Sequence, residues 1–338
     1  MLFEPFTLRE VTIPNRVWLS PMCMYSATDG VPDDFHFAHY AARALGGAGL
    51  VMTEATGVSP EGRISPSDLG LWNADQQRGH ARIAEFVSSR GAVPAVQIGH
   101  AGRKASTAEL WRGGHVLTPG DGGWPVLSPA NLDREGIDRI VRAFADAARR
   151  AADAGYQVLE IHGAHGYLIH EFLSPLVNGR TDEFGGSFEN RARFGLSVVE
   201  AVRAAWPAGQ PLFYRTSATD WIDGGWSIED TVRLAPLLRE RGVDLIDVSS
   251  GGIAQASIPV GPGYQVPLAA RIREAGGGPV ASVGLITEPK QAEDILATGQ
   301  ADAVFLGREL LRDPHWPLRA ARELGVPVSW PRQYERAA

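Results

Sequence analysis

Leu212-Phe-Tyr-Arg-Thr-Ser217 and Leu245-Ile-Asp-Val-Ser249 are two short segments in which apolar residues dominate without regular alternation. Such segments are typical of parallel strands that are buried on both faces. Between them, Ile228–Arg241 has apolar residues at helical spacing, and Gly242 follows directly, as glycine often does at the end of a helix. This stretch therefore predicts a strand–helix–strand unit with a parallel sheet.

The same alternation continues in both directions along the chain and predicts an α/β fold, a single (β/α)8 TIM barrel. An open doubly wound sheet is the alternative, but its usual Gly-x-Gly-x-x-Gly turn does not follow the first strand. The predicted strands are Val17–Ser20, Leu50–Thr53, Val93–Ile98, Val158–His162, Leu212–Ser217, Leu245–Ser249, Val280–Val283 and Ala303–Leu306. The predicted helices are Phe35–Ala44, Gln76–Ser89, Ile137–Ala154, Glu189–Ala205, Ile228–Arg241, Pro267–Glu274 and Glu288–Thr298.

Two further segments lie outside this alternation. Phe6–Val11 and Thr12–Arg16 are expected to form an N-terminal β-hairpin that acts as a lid on the floor of the barrel. Ala101–Leu132 is a long Gly/Pro-rich loop, and so long an irregular segment is usually functional. No linker divides the sequence, so residues 1–338 are expected to form one domain with extended βα loops.

The composition restricts the possible functions. A formal net charge of −7 argues against a general affinity for nucleic acid or anionic membranes. One cysteine, Cys23, allows no intramolecular disulfide and fits a reducing compartment. Met1–Ser20 carries charges throughout, so it is not expected to be a signal peptide, and no segment approaches the length of a membrane helix. We therefore expect a cytoplasmic protein.

Active sites of such barrels lie at the carboxyl ends of the strands. There the chain has Pro21, Met22, Cys23, Tyr25, Glu54, Ala55, Gln97, His100, His162, His165, Tyr167, Arg215, Ser249, Ser250, Ser282, Gly284, Gly307 and Arg308. Gly284 allows close approach of a ligand, while Gly307 and Arg308 begin a short predicted helix with free N–H groups and a guanidinium. These residues could bind phosphate. Alternatively, the glycines only permit tight turns and Arg308 pairs with a surface acid.

The densest polar cluster is His162-Gly-Ala-His165-Gly-Tyr167. Two imidazole N–H groups could stabilise charge on a carbonyl or nitro oxygen, and a phenol could donate a proton. A metal site with Glu54, His100 or Asp220 as a third ligand is a second interpretation, although no spacing requires it. A pair of hydrogen-bonded turn histidines is the third. Spacing alone does not decide among them. Cys23 is either a small buried residue or a thiol beside a redox ring.

Several motifs together resemble the Old Yellow Enzyme family of FMN-dependent ene-reductases. They are Pro21-Met-Cys-Met-Tyr25, Gln97-Ile-Gly-His-Ala-Gly-Arg-Lys104, Glu160-Ile-His-Gly-Ala-His-Gly-Tyr-Leu-Ile-His-Glu-Phe-Leu-Ser-Pro175 and Asn178-Gly-Arg-Thr-Asp-Glu-Phe-Gly-Gly-Ser-Phe-Glu-Asn-Arg191. The resemblance covers nearly the whole chain. Cys23 and the C-terminal Gln333-Tyr-Glu-Arg336 are similar to the thermophilic-like branch of NADPH dehydrogenases. Gly163 stands where relatives often have alanine, a change expected to be harmless.

The resemblance implies a role for each matching residue. Along the flavin ring it places Ser20, Pro21, Met22, Cys23, Ala55, Gln97 and Arg215, and around the FMN phosphate it places Ser282, Gly284, Gly307 and Arg308. Cys23 would tune the flavin's reduction potential. Tyr25, His162 and His165 would bind substrate, and Tyr167 would protonate the alpha carbon. Arg336 would reach a neighbouring subunit's site, which puts the tail of about residues 325–338 at an interface of a dimer or tetramer.

The implied reaction is a ping-pong cycle without a metal. NADPH or NADH would reduce non-covalently bound FMN, and hydride would pass to the beta carbon of an enone, maleimide or nitro compound. Some members of the family carry an iron–sulfur cluster. That form is excluded here because a cluster is held by several cysteines and this sequence has one. The rival classes are a Schiff-base aldolase using Lys104 or Lys290, a non-catalytic barrel that keeps FMN, and a dehydrogenase acting on amines or hydroxy acids.

Overall fold

The computed structural model describes residues 1–337. Eight parallel strands close into a barrel in which each strand pairs with the next and the last pairs with the first. The barrel strands are β3 (Val17–Leu19), β4 (Leu50–Gly57), β5 (Val93–Gly99), β6 (Val158–Gly163), β7 (Leu212–Ser217), β8 (Leu245–Ser249), β9 (Val280–Val283) and β10 (Ala303–Leu306). The expected (β/α)8 barrel is therefore confirmed, and the open sheet is excluded because β10 pairs with β3.

The helices lie between the strands and after the last one, and seven of them are at the positions that the periodicity predicts. They are α1 (Asp34–Leu45), α2 (Ala74–Ser89), α3 (Arg134–Asp153), α4 (Leu168–Leu173), α5 (Phe188–Ala205), α6 (Ile228–Glu240), α7 (Val266–Ile272), α8 (Pro289–Ala297), α9 (Arg308–Arg312) and α10 (Trp316–Glu323). Side-chain caps fix several of their starts: Asp33, Asn73 and Ser227 each accept a hydrogen bond from the backbone N–H three residues later. None of the helices within residues 1–337 is long and apolar enough to cross a membrane.

An antiparallel hairpin of β1 (Phe6–Leu8) and β2 (Val11–Ile13) precedes the barrel. Its apolar side chains belong to the same buried cluster as Trp18, Phe213 and Phe305. Trp18 stacks on Phe213 with ring centroids 5.7 Å apart and meets Phe305 edge-on at 5.3 Å. The hairpin therefore covers an aromatic plug inside the barrel, formed by Trp18, Phe213 and Phe305.

The loop after β5 is held over the carboxyl end of the barrel. It contains short 3-10 turns at Gly102–Lys104, Leu110–Arg112 and Pro119–Asp121. An isolated bridge between Thr107 and Val116 folds its middle into a hairpin-like flap. At the tip, the exposed ring of Trp111 meets Tyr25 edge-on at 5.5 Å. The long irregular segment thus lies beside one of the predicted substrate-binding residues.

Candidate active site

Two adjoining cavities open at the carboxyl ends of the strands, each of about 260 Å³. They share Arg215, Gly307 and Arg308, so they form one continuous cleft. The first is lined by Ser20, Pro21, Met22, Cys23, Ala55, Gln97, His162, His165, Tyr167, Arg215, Gly307 and Arg308. Twelve residues that the sequence analysis selected from six different strand ends are thus brought to one cavity.

The second cavity is lined by groups suited to a phosphate. Gly284 has a φ of +124°, which favours glycine, and Arg308 and Arg312 contribute guanidinium groups. Ser282, which lies on β9 two residues before Gly284, is fully buried; among residues 1–337 its hydroxyl has no hydrogen-bond partner. The unpartnered hydroxyl of Ser282 and the guanidinium groups of Arg308 and Arg312 are donors of the kind that a phosphate accepts from, and the first cavity adjoins them, so the residues present fit FMN.

Two predicted site residues lie outside both cavities. Tyr25 is half-buried beneath Trp111, with a φ of +51°. Arg336 is exposed in the C-terminal turn Arg332–Ala337. Neither lines the cleft formed by the described part of its own chain, so the substrate role of Tyr25 and the intersubunit role of Arg336 stay predictions.

His162 and His165 are neutral hydrogen-bonding groups in this setting. Burial first, and then the positive charge of Arg215, holds the pKa of each imidazole well below its ordinary value. The backbone N–H of Ala164 donates to Nδ1 of His162 at 3.3 Å, which leaves the ring proton on Nε2. The two rings meet edge-on, with centroids 5.2 Å apart. Two uncharged imidazoles therefore converge on the cavity.

The tautomer of His165 depends on Ser249. The hydroxyl of Ser249 lies 2.7 Å from Nε2 of His165 and 3.3 Å from Oε1 of Gln265. Gln265 already accepts a 2.7 Å hydrogen bond from Ser250. Because a hydroxyl has one proton, the shorter contact favours donation from Ser249 to His165. This places the ring proton on Nδ1, which is free to donate to a ligand.

Tyr167 and Cys23 both keep their protons at neutral pH. Burial, reinforced by Cys23 and Asp68, raises the pKa of the Tyr167 phenol well above its ordinary value. The ring of Tyr167 meets that of His162 edge-on at 4.9 Å. Burial, together with the acids Asp68 and Glu54, raises the pKa of the Cys23 thiol. A neutral thiol is a poor nucleophile, so the surroundings of Cys23 do not favour attack on a substrate.

A buried polar layer lies between the aromatic plug and the cavity, and sequence reasoning missed its two acids. Glu160 accepts a 2.7 Å hydrogen bond from the amide of Gln97, and Asp247 lies 3.0 Å from Nε of Arg215. Both acids are fully buried. Burial and the neighbouring Asp247 raise the pKa of Glu160 well above its ordinary value, while Arg215 opposes the rise for both acids. Their only sequence signal is an acid inside an otherwise apolar strand.

Glu54 is a third buried acid, and it holds the segment that carries Cys23. The backbone N–H of Met24 donates to Oε2 of Glu54 at 2.8 Å, and Tyr40 donates to Oε1 at 2.8 Å. The pairing of β4 with β5 is irregular between Thr53 and Thr56, where Glu54 lies. Burial raises the pKa of Glu54 to about 8.

The two lysines are not placed as nucleophiles. Lys290 is exposed and pairs with Asp294, while the Lys104 ammonium donates to backbone carbonyls. Within residues 1–337, no group of three His, Cys, Asp or Glu side chains is arranged to hold a metal ion. The closed barrel and its cleft together define a barrel enzyme built to bind a phosphorylated planar cofactor.

Comparison with known proteins identifies the family. The profile of the "NADH:flavin oxidoreductase / NADH oxidase family" matches residues 1–326. An NADPH dehydrogenase of Bacillus pumilus (strain SAFR-032) is 50% identical over 340 residues, covering 99% of this chain and 98% of that protein. Morphinone reductase in complex with tetrahydroNAD is 29% identical with a TM-score of 0.79, covering 98% of this chain and 92% of that chain. The old yellow enzyme homologue from Zymomonas mobilis is 28% identical with a TM-score of 0.80, covering 97% and 94%.

The chain belongs to the NADH:flavin oxidoreductase / NADH oxidase family, which includes the Old Yellow Enzymes that its motifs resemble. It is therefore a flavin-dependent oxidoreductase that uses FMN. The resemblance drawn from the motifs is confirmed.

Proposed function

We propose that this protein is an ene-reductase that uses NADPH to reduce the C=C bond of α,β-unsaturated carbonyl or nitro compounds. The observation that carries the proposal is that His162, His165 and Tyr167 line the same cavity as the predicted flavin-ring residues. When bound, FMN supplies the two-electron chemistry. The protein's own contribution is to bind the substrate, to stabilise charge and to deliver a proton.

The two histidines would stabilise the charge that develops during the reaction. Addition of hydride to the beta carbon moves negative charge onto the substrate's carbonyl or nitro oxygen. Neutral imidazole N–H groups on that oxygen bind the transition state more strongly than the ground state. Their lowered pKa values support this role, because both rings stay uncharged and retain one N–H each.

Tyr167 would complete the reaction by protonating the alpha carbon. Its ring meets that of His162 edge-on at 4.9 Å in the cavity lining, and its raised pKa keeps the proton in place until carbanion character develops. Reprotonation from solvent then restores the phenol.

The flavin positions are proposed from the lining of the cleft. Ser20, Pro21, Met22, Cys23, Ala55, Gln97 and Arg215 would hold the ring, and Ser282, Gly284, Gly307 and Arg308 the phosphate. Because one cavity would serve both nicotinamide and the unsaturated substrate, we propose a ping-pong cycle. We also propose that residues 1–338 act as one domain in a cytoplasmic homo-oligomer, in which Arg336 reaches the partner's site.

The first experiment is an anaerobic visible spectrum of the purified protein, repeated after NADPH and again after cyclohexenone. Bleaching of the flavin bands by NADPH and their return with the enone would support both half-reactions. Bleaching without return would refute the ene-reductase proposal while leaving flavin reduction intact.

Two variants test the assigned roles. His162→Ala should weaken enone binding at least about tenfold, the expected effect of losing a buried hydrogen bond, while the protein stays yellow. Tyr167→Phe should slow the enone half-reaction and leave reduction by NADPH fast. Lys290→Met, at an exposed position on the barrel surface outside the candidate site, is the control for both variants. A colourless His162→Ala protein, or slow flavin reduction in Tyr167→Phe, would contradict the roles given.

A further inference from the structure

Lys104 is unusual in this sequence. The chain has 32 basic residues, and all but Lys104 and Lys290 are arginine. Lys290 lies on the surface, with 81% of its side chain exposed. Lys104 is partly buried at the end of the turn Gly102–Lys104, beside the candidate active site. Of the two ammonium groups on side chains, therefore, only that of Lys104 lies beside the candidate site.

The Lys104 ammonium joins loops that follow three different strands. It donates at 2.7 Å to the carbonyl of His165, after β6, and also to the carbonyl of Gly252, after β8. Its nitrogen lies 5.7 Å from the centroid of the Tyr167 ring. Lys104 itself follows β5. The neighbouring Arg103 uses its own guanidinium on the carbonyl of Ile253.

The turn that Lys104 contacts has an unfavourable backbone conformation. His165 has a φ of +60°, in the left-handed region that a residue with a Cβ rarely adopts, and Gly166 follows at +71°. Such a residue persists only where its surroundings hold it. The N–H of His165 donates to Ser217 at 2.9 Å, and the N–H of Gly166 donates to His170 at 2.9 Å. Lys104 supplies the remaining anchor, on the His165 carbonyl.

The loop after β8 is in close backbone contact with the same turn. A Cβ added to Gly252 would lie 2.6 Å from the Cα of His165, and one added to Gly166 would lie 2.3 Å from the carbonyl oxygen of Gly252. The two carbonyls that accept from Lys104 therefore belong to backbones in close contact. A guanidinium is larger and presents its donors in a fixed fork, so an arginine at position 104 would need more room beside these two backbones than the ammonium does.

We propose that Lys104 is a positioning residue whose ammonium, shared between the carbonyls of His165 and Gly252, keeps the left-handed His165–Gly166 turn closed and so fixes the imidazole of His165 in the cavity. The consequence for substrate binding rests on the proposed function; the conformational role does not. Burial and the adjacent Arg103 lower the pKa of Lys104, and Glu171 opposes this shift.

The test compares FMN-loaded Lys104→Met and Lys104→Arg with the exposed control Lys290→Met by hydrogen–deuterium exchange. Loss of a charge-assisted hydrogen bond should raise exchange at residues 165–167 at least about tenfold. Both Lys104 variants should show this, while β5 and β7 and the control stay at the wild-type rate. If Lys104→Met is not recovered folded, Lys104→Gln, which keeps an N–H donor without the charge, takes its place.

The possible results distinguish three claims: the positioning role of Lys104, the requirement for a compact donor, and the substrate role of His165. Wild-type exchange in Lys104→Met, or in Lys104→Gln where that replaces it, would overturn the positioning role. Wild-type exchange in Lys104→Arg alone would overturn the requirement for a compact donor. With the enone, KM should rise more than kcat falls in both variants. Faster exchange with unchanged enone kinetics would uphold the positioning role and refute the substrate role of His165 under the proposed function.

Discussion

Replacement of Asp247 tests the electrostatics beneath the candidate site. Asp247 and Arg215 face each other on β8 and β7 with 3.0 Å between Oδ2 and Nε, and both are buried. At an effective dielectric constant of about 20, charges at this distance attract by about 5 kcal/mol before desolvation is considered. Removing one partner of a buried ion pair costs about 3–5 kcal/mol, because the remaining charge is uncompensated. Asp247→Asn alone would show this full loss only if no other acid could replace Asp247.

Glu160 is such an acid. The negative charge of Asp247 helps to keep Glu160 protonated, so its removal lowers the pKa of Glu160 and allows that residue to ionise. We expect Glu160→Gln, which resembles the protonated acid, to cost less than about 1 kcal/mol, and Asp247→Asn to cost about 1–3 kcal/mol. The double variant should lose about 3–5 kcal/mol, more than the sum of the two single changes.

The assay is urea unfolding at pH 7, followed by tryptophan fluorescence. FMN is held at one concentration and its affinity for each variant is measured separately, so that the stabilisation due to binding can be subtracted. The same proteins give the flavin's reduction potential, which should rise in the double variant as Arg215 loses its counter-charge. Additive losses, or a Glu160→Gln protein as unstable as Asp247→Asn, would refute the idea of a shared charge.

Two further predictions concern stability. A Cβ on Gly163 would lie 2.2 Å from Oη of Tyr214, so Gly163→Ala should lower the free energy of unfolding in urea by about 1–3 kcal/mol. In a Tyr214→Val background, where the ring is absent, the same Gly163→Ala change should instead raise the free energy of unfolding. An unchanged urea midpoint in Gly163→Ala would contradict this prediction. Because burial raises the pKa of Glu54 to about 8, its stabilising effect is complete below about pH 4.3, the ordinary value for glutamate, and is lost as the pH rises to about 8. Between pH 5 and 7, the free energy of unfolding of the wild type should therefore fall with rising pH more steeply than that of Glu54→Gln, by about 1.4 kcal/mol per pH unit. Replacement of the exposed Glu85 by Gln should leave the pH dependence of the wild type unchanged.

The sequence predicts the barrel well because its strands are buried on both faces. β7, β8, β9 and β10 have the predicted bounds. Each begins with an apolar residue; β9 and β10 also end with one, whereas β7 and β8 end with serine. β4 continues to Gly57, beyond the predicted Thr53. Its apolar run is interrupted at Glu54, and only the tertiary partners of that acid show why the strand goes on. α4, with six residues, is too short to show a helical period.

The cavity could be predicted because the carboxyl ends of parallel strands meet at one edge. Its supporting contacts could not. Lys104 contacts carbonyls 61 and 148 residues away, and no local pattern indicates such a pairing. The packing of Tyr214 against Gly163 could not be predicted from the sequence either. That glycine is harmless at this position stays a prediction; Tyr214 on the next strand occupies the space that a methyl group would need, a contact that no local pattern indicates.

The organisation of β6 explains how one strand serves three purposes. Successive residues of a strand point to opposite faces, so Val158, Glu160 and His162 share one face of β6. They follow one another from the amino end of the strand to its carboxyl end. Val158 packs in the apolar floor, Glu160 lies in the polar layer, and His162 lines the cavity. A shift of β6 by one residue would exchange this face for the one that packs against the helices. The apolar plug of Trp18, Phe213 and Phe305 opposes such a shift, and the register that fills the core is also the register that places the histidine in the active site.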